Sequence, residues 1–323
     1  MKKLLLVSND VSLTGAPILL LELAKYLCKQ YQIHFWSIFD IPKHCNSLQN
    51  DFELIGPVKY FHNYTPTQND ISSAKSYYDI IICNTIETSN IALQLNALLW
   101  YHEMFINSPY LLNNIKIISL SNRHTKLLNS KGVHSIIATA HGKINNKINK
   151  SLNSNKLKKI LLIGSFIYRK NQLMALDIVR PYDNIELTMV GSFVNYETGD
   201  DGYYQQVKAN IGDINCKLID VQPHEKVLEM IQESDIIMCP SIQDTYPVCI
   251  IEALEYGKRV LLTDNTCIDL DELLVKPYKS RCVNVNIMSK VLGEMLQDDC
   301  DCCEVLNEYC YEEKWNEIIN LLK

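Results

Sequence analysis

No stretch of this 323-residue sequence approaches the ~20 consecutive apolar residues that a membrane-crossing helix needs. The apolar run Leu4–Val7, behind Lys2 and Lys3, is far too short for the core of a secretory signal and is expected to be a first buried strand. Several chemical signatures are missing as well. There is no Gly-x-Gly-x-x-Gly turn, which argues against a nicotinamide dehydrogenase, and no Gly-x-x-x-x-Gly-Lys phosphate loop, His-Glu-x-x-His helix or Gly-x-Ser-x-Gly elbow. No repeat with a period of about 20 to 50 residues occurs, which excludes a solenoid. The 12 cysteines lack a second ligand pair at finger spacing. Cys83 and Cys239 sit inside strand-like runs and are expected to be buried thiols, and Cys300, Cys302 and Cys303 fall in the loop-like DDCDCC. Asp269 with Asp271 and Asp298 with Asp299 occupy apparent loop or cap positions, so no metal site is expected. Without a secretory signal the reducing cytoplasm is the expected location.

What is present is apolar material for two cores, with 47% hydrophobic and 21% charged residues. At roughly 100 to 200 residues per domain the length suits two domains. Strand-like runs at 4–8, 33–39, 79–84, 97–102, 115–120 and 135–140 alternate with helix-period stretches. Residues 141–159, HGKINNKINKSLNSNKLKK, have almost no hydrophobic period and form a candidate linker. The alternation then restarts with strands at 159–165, 185–192, 214–221, 235–241 and 259–264. The pattern predicts an α/β chain of two doubly wound domains, 1–148 and 149–306, with a closing helix at about 307–323 expected on the first. The halves differ in charge: residues 1–150 hold 14 Lys and Arg against 9 Asp and Glu, leaving 17 against 28, which gives +5 and −11. A basic excess of this size is most often a solvated surface, and the sharper expectation is peripheral contact with an anionic membrane or glycan.

In open parallel sheets ligands bind beyond the carboxyl ends of the strands, so the segments that follow the strands carry the chemistry. The strongest is PSIQDTYPVCIIEALEYGKRVLLTD, 240–264, in which seven residues separate Asp244 from Glu252. Pro247 suits the first helical position and Gly257 the stop, which predicts a helix over about 247–256 with its free amides at the strand end. There Asp244 can accept ligand hydroxyls, and Glu252 can accept a vicinal diol such as ribose. The two read equally well as a capping acid and a surface glutamate. In GSFIYRKNQ, Arg169 and Lys170 stand at a helix entrance behind Gly164 and Ser165, where two cations suit a diphosphate, although such pairs are often merely solvated. Near the start, Thr14, Gly15 and Ala16 offer little bulk against an approaching ligand, and Pro17 falls in the first turn of the next helix. His102 and Glu103 follow ALLWY at a strand end, where a lone histidine is more often structural than catalytic.

Together, SLTGAPILLLELAKYL, LLWYHE, ILLIGSFIYRKNQ and the 240–264 segment resemble the family 4 retaining glycosyltransferases. The resemblance runs over nearly the whole chain and implies the GT-B fold, two Rossmann-like domains facing a cleft with a C-terminal helix crossing back. It implies that Gly15 and Ala16 line the donor phosphates, that His102 lies near the transferred sugar, and that Arg169 and Lys170, behind Gly164 and Ser165, hold the diphosphate. Asp244 would face the sugar, Glu252 the ribose, and Tyr246, Pro247 and Val248 would offer backbone groups between them. Asp244 stands where glutamate is usual, Ser165 where arginine is common, and Tyr246-Pro247 where Phe-Gly is common. The expected activity is retaining, metal-independent transfer of a sugar from a nucleoside diphosphate donor to a hydroxyl of a glycan or lipid-linked acceptor. No cofactor and no nucleic acid partner are expected. A non-catalytic sugar-nucleotide-binding or partner-binding protein, and a GT-B epimerase or phosphorylase, are the alternatives.

Overall fold

The structure is a computed structural model that describes residues 1–43, 45–104, 106, 112–137, 143–144, 157–195, 198–270, 274, 278–280, 283–297, 309–310, 315–316 and 319. Most of the expected linker, all but 143–144 and 157–159, lies outside the described residues, as do the cysteine cluster at 300–303, Asp271, Asp298, Asp299 and most of the closing segment. The chain forms two compact units, Met1–His141 with Tyr311–Lys323, and Gly142–Cys310.

In the first unit seven parallel strands run β1 (Lys2–Ser8), β2 (Tyr31–Ser37), β3 (Val58–Tyr60), β4 (Ile80–Asn84), β5 (Leu98–Trp100), β6 (Lys116–Ser119) and β7 (Ser135–Ile137), in spatial order β3-β2-β1-β4-β5-β6-β7. β1 is an interior strand, between β2 and β4, and Leu4, Leu5, Leu6 and Val7 are all wholly buried. That continuous apolar run is what a strand covered on both faces requires. The helix Gly15–Leu27 returns the chain from β1 to β2 and buries Pro17, Leu19, Leu20, Leu21, Leu23, Ala24 and Leu27. Trp315 belongs to this unit, set edge-on to Trp100 at 4.8 Å between ring centroids, while Asn316 Nδ2 donates to the Tyr26 hydroxyl at 2.7 Å.

The second unit repeats the plan. β9 (Lys158–Ile163), β10 (Ile185–Val190), β11 (Cys216–Ile219), β12 (Ile236–Cys239), β13 (Arg259–Thr263) and β14 (Tyr278–Ser280) form a parallel sheet in the order β11-β10-β9-β12-β13-β14. A separate antiparallel pair joins β8 (Lys143–Ile144) to β15 (Tyr309–Cys310). Both large sheets reverse their strand order beside the first strand, between β1 and β4 and between β9 and β12. Such a reversal leaves an opening at the carboxyl ends where adjacent loops diverge.

The strand pattern read from sequence reappears with ends shifted by a few residues. The short strands β3 and β14 have no counterpart among the runs read from sequence. Each lies at the edge of its sheet and has only three residues, too few for a period to register. Cys83, Cys239, Cys249 and Cys267 are buried, and burial pushes the thiols of Cys83, Cys239 and Cys249 up. Among the described residues no helix is long and apolar enough to cross a membrane, and no group of three or more His, Cys, Asp or Glu stands where it could hold a metal ion.

Candidate functional site

The polar chemistry of the second unit gathers where its strand order reverses. β9 ends at Ile163, and Gly164 follows with φ +154. β10 ends beside it, and Gly191 follows with φ +156. A Cβ on Gly191 would overlap the Gly164 carbonyl, so the absence of a side chain there lets the two strand ends lie against each other. The tripeptide Gly-Ser-Phe recurs at 164–166 and 191–193, a signal that marks both turns in the sequence.

After Gly164 the chain makes a short 3-10 turn, Tyr168–Lys170, and enters the helix Gln172–Val179 through Asn171, which adopts a left-handed conformation with φ 58. Several bonds fix this turn. Gln172 Nε2 donates to the carbonyls of Gly164 at 3.2 Å and Ser165 at 2.9 Å. Asn171 Nδ2 donates to Pro240 O at 3.3 Å, and Ile242 N donates to Arg169 O at 2.8 Å. The loop after β9 is thereby laced to the loop after β12, which carries Asp244. Asp244 is itself anchored by its N–H to Asn265 O at 3.2 Å and by an isolated parallel bridge to Thr266.

This lacing brings the charged groups together. Lys170 Nζ is hydrogen-bonded to Asp244 Oδ2, and Arg169 Nη1 stands 3.9 Å from the same oxygen. Lys170 and Asp244 are largely buried, whereas Arg169 is half exposed. Burial is the largest influence and opposes the charge on Lys170, but the Asp244 carboxylate together with Cys239 and Cys249 leaves the pKa raised. A buried ammonium held charged beside a half-exposed guanidinium suits an anionic ligand. The aliphatic stem of Lys170 lies where a Cβ on Gly164 would press against it, so Gly164 makes room for the lysine.

The helix after Asp244 runs Val248–Glu255, with Pro247 at the cap and not in the first turn. It ends in the expected way: Gly257, φ 65, donates to Leu254 O at 2.9 Å and Lys258 N donates to Ala253 O at 2.8 Å, the paired bonds of a Schellman stop. The Ile250 amide donates to the Pro247 carbonyl at 3.0 Å, and the amides of Val248 and Cys249 have no carbonyl to reach within the helix. Tyr246 packs its ring on the core of this unit, Pro247 is buried, and Val248 is partly buried. Glu252 is no surface glutamate. It is 5% exposed, and its Oε1 takes a 2.6 Å hydrogen bond from His224 Nε2 at the start of the helix His224–Glu233. The surface reading fails because the helix is enclosed on all sides, with Cys249, Ile250, Ile251, Ala253 and Leu254 buried as well as Glu252.

In the first unit, Gly15 opens its helix exposed, and the Ala16 carbonyl accepts from Asn84 Nδ2 at 3.1 Å. His102 and Glu103 follow β5. Burial, and then the neighbouring His124, lower the His102 pKa to about 3, so the ring is neutral, and its Nε2 has no hydrogen-bond partner among the described residues. His124 accepts from Leu120 N at Nδ1, so its Nε2 carries the hydrogen and donates to the Glu103 carbonyl at 3.0 Å. Ser8 Oγ, Asn9 Oδ1, Asn84 Oδ1 and Thr85 Oγ1 are also buried and without a partner among the described residues. They end or follow β1 and β4, at this sheet's own reversal point.

Glu103 escaped the sequence reading as a charged group of note. Its Oε2 accepts from Ile86 N at 3.2 Å and His102 N at 3.1 Å, yet burial and the Glu87 carboxylate push its pKa from 4.5 up to about 8. Between those two values the folded chain holds a proton that the unfolded chain has lost, so this group makes stability fall as pH rises from 4.5 to about 8. Glu103→Gln keeps an acceptor for the two amides without the ionisation. Its melting temperature relative to the parent is therefore expected to rise across that window and to be level above it, as melting curves at intervals of pH will show.

Residues 143–273 match the model of the family Glycosyl transferases group 1. No curated protein matches the chain. Among solved structures, HepE from Anabaena in complex with UDP and glucose superposes with a TM-score of 0.79 at 14% identity, over 100% of this chain and 99% of that one. The same protein has also been solved with UDP and with UDP-glucose. Sucrose-phosphate synthase from Thermosynechococcus elongatus gives a TM-score of 0.74 at 12% identity, covering 99% of both chains. The lipopolysaccharide outer core galactosyltransferase WaaB gives 0.69 at 14% identity, again over 99% of both. The fold is GT-B, two Rossmann-like parallel-sheet α/β domains.

Proposed function

We propose that this protein is a retaining glycosyltransferase that moves a sugar from a nucleoside diphosphate donor to a hydroxyl of a glycan or lipid-linked acceptor, without a metal. The observation that carries the reading is the Arg169–Lys170–Asp244 cluster at the reversal point of the second sheet, inside the matched domain. Neighbours of the same fold solved with UDP and UDP-glucose support a nucleotide sugar as donor.

In this reading Lys170 and Arg169 bind the diphosphate, assisted by the first amides of the helix Val248–Glu255 and by the open turn at Gly164 and Ser165. Asp244 accepts hydroxyls of the transferred sugar, Glu252 accepts those of the ribose, and Tyr246, Pro247 and Val248 supply backbone groups between them. His102, whose neutral ring has Nε2 without a partner among the described residues, is left to accept a hydrogen from a sugar hydroxyl. The bond from the anomeric carbon to the diphosphate oxygen breaks and the diphosphate leaves with the electron pair. The acceptor oxygen bonds to the same face of that carbon, and the departing diphosphate oxygen takes the acceptor's proton. Polar atoms on Ser8, Asn84 and Thr85 that have no partner among the described residues support an acceptor rich in hydroxyls. The basic first half supports peripheral contact with an anionic membrane surface from the cytoplasm.

The test is product analysis with a panel of nucleotide sugars, beginning with UDP-glucose, in which the anomeric configuration of the product reports retention. Turnover is expected to survive excess EDTA unchanged, because Lys170, Arg169 and the helix amides supply the charge a divalent ion would otherwise bring. Loss of turnover in EDTA with recovery on adding manganese would overturn the metal-independent assignment.

A further inference from the structure

We infer that His224 is a positioning residue of the nucleotide site, holding the Glu252 carboxylate in place for the ribose and so setting a preference for nucleotides with intact ribose hydroxyls. The inference rests on the donor reading above. Glu252 and His224 lie 28 residues apart on successive helices of the second unit, and their side chains meet at 2.6 Å. An ionised carboxylate only accepts, so His224 Nε2 carries the hydrogen and donates it to Oε1. The contact does two things. It supplies the partner that a carboxylate at 7% side-chain exposure needs, and it fixes the carboxylate plane. Oε2, which has no hydrogen-bond partner among the described residues, is left to accept from a ligand. Without His224 the side chain must be ordered by the nucleotide itself, at the expense of affinity. Nothing in the backbone of either helix would produce this geometry without the imidazole, because His224 stands at the first turn of its helix and reaches across to the fifth residue of the other.

The measurement is calorimetric affinity for UDP, GDP, ADP and CDP, followed by the 2′,3′-dideoxy form of whichever binds most tightly, in the parent and in His224→Ala, His224→Leu and His224→Gln, with melting curves to establish folding. His224→Ala is expected to weaken the ribonucleotide about five- to tenfold, and to leave the dideoxy form, which has no hydroxyls for Glu252, unchanged. His224→Leu fills the space without a donor and should behave like alanine, so it carries the test if the alanine variant does not fold. His224→Gln, whose amide can still donate, should recover most of the affinity. Ribonucleotide affinity equal to the parent's in the alanine or leucine variant would overturn the inference, as would equal losses for the ribo and dideoxy forms. A parent protein that binds none of the four nucleotides would overturn the donor reading, and this inference with it.

Discussion

Lys170→Ala is expected to lower turnover by about two to three orders of magnitude, the loss seen when one preorganised donor is removed from a developing negative charge. The lysine has a second role that the experiment must separate. It neutralises Asp244, and removing one partner of a largely buried ion pair costs about 3–5 kcal/mol because the remaining charge is left uncompensated. Arg169, at 3.9 Å and half exposed, compensates only in part. The single variant should therefore melt well below the parent. Adding Asp244→Asn removes the stranded carboxylate, so the double variant should melt closer to the parent while staying as inactive as the single one. Turnover that returned with the melting temperature would mean that Lys170 serves stability alone, and the diphosphate would have to be placed elsewhere.

Asp244→Asn and Glu252→Gln are expected to fail in different ways. Asp244 lies on the loop after β12, among the cations that take the diphosphate, and is assigned to the sugar, whose charge and geometry change as the bond breaks. An interaction that strengthens in the transition state appears in kcat, so Asp244→Asn should cut kcat by about a hundredfold while affinity for the free nucleoside diphosphate changes little. Glu252 lies five residues into its helix, paired with His224 and assigned to the ribose, which does not change during the reaction. Glu252→Gln should raise the donor KM and weaken the nucleoside diphosphate by about 10- to 100-fold, the worth of one charge-assisted hydrogen bond, with kcat nearly intact. Donor kcat and KM, with calorimetric nucleotide affinity for each variant, decide the matter. An Asp244→Asn protein that folds and turns over at the parent rate would remove Asp244 from the site.

Local pattern alone determined much of this protein. The buried central strands were legible because a strand covered on both faces must be an uninterrupted apolar run, as in Leu4–Val7 and Ile160–Leu162. The helix before Gly257 was legible to within a residue at each end, because proline and glycine act on their own backbone and need no distant partner. The candidate cations and carboxylates could be named because they follow strands directly. Their relations could not. Lys170 meets Asp244 across 74 residues, and it does so because β12 sits beside β9, an order that no local period encodes. Glu252 could not be told from a surface glutamate, nor His224 noticed at all, since the burial of one and the reach of the other exist only once two successive helices lie side by side. The same holds for Glu103, an ordinary acid in sequence whose proton is held by burial and by Glu87, 16 residues away along the chain and close only in the fold. Sequence chose the groups, and the sheet order decided which of them share a charge, because electrostatic energy depends on distance and burial and not on separation along the chain.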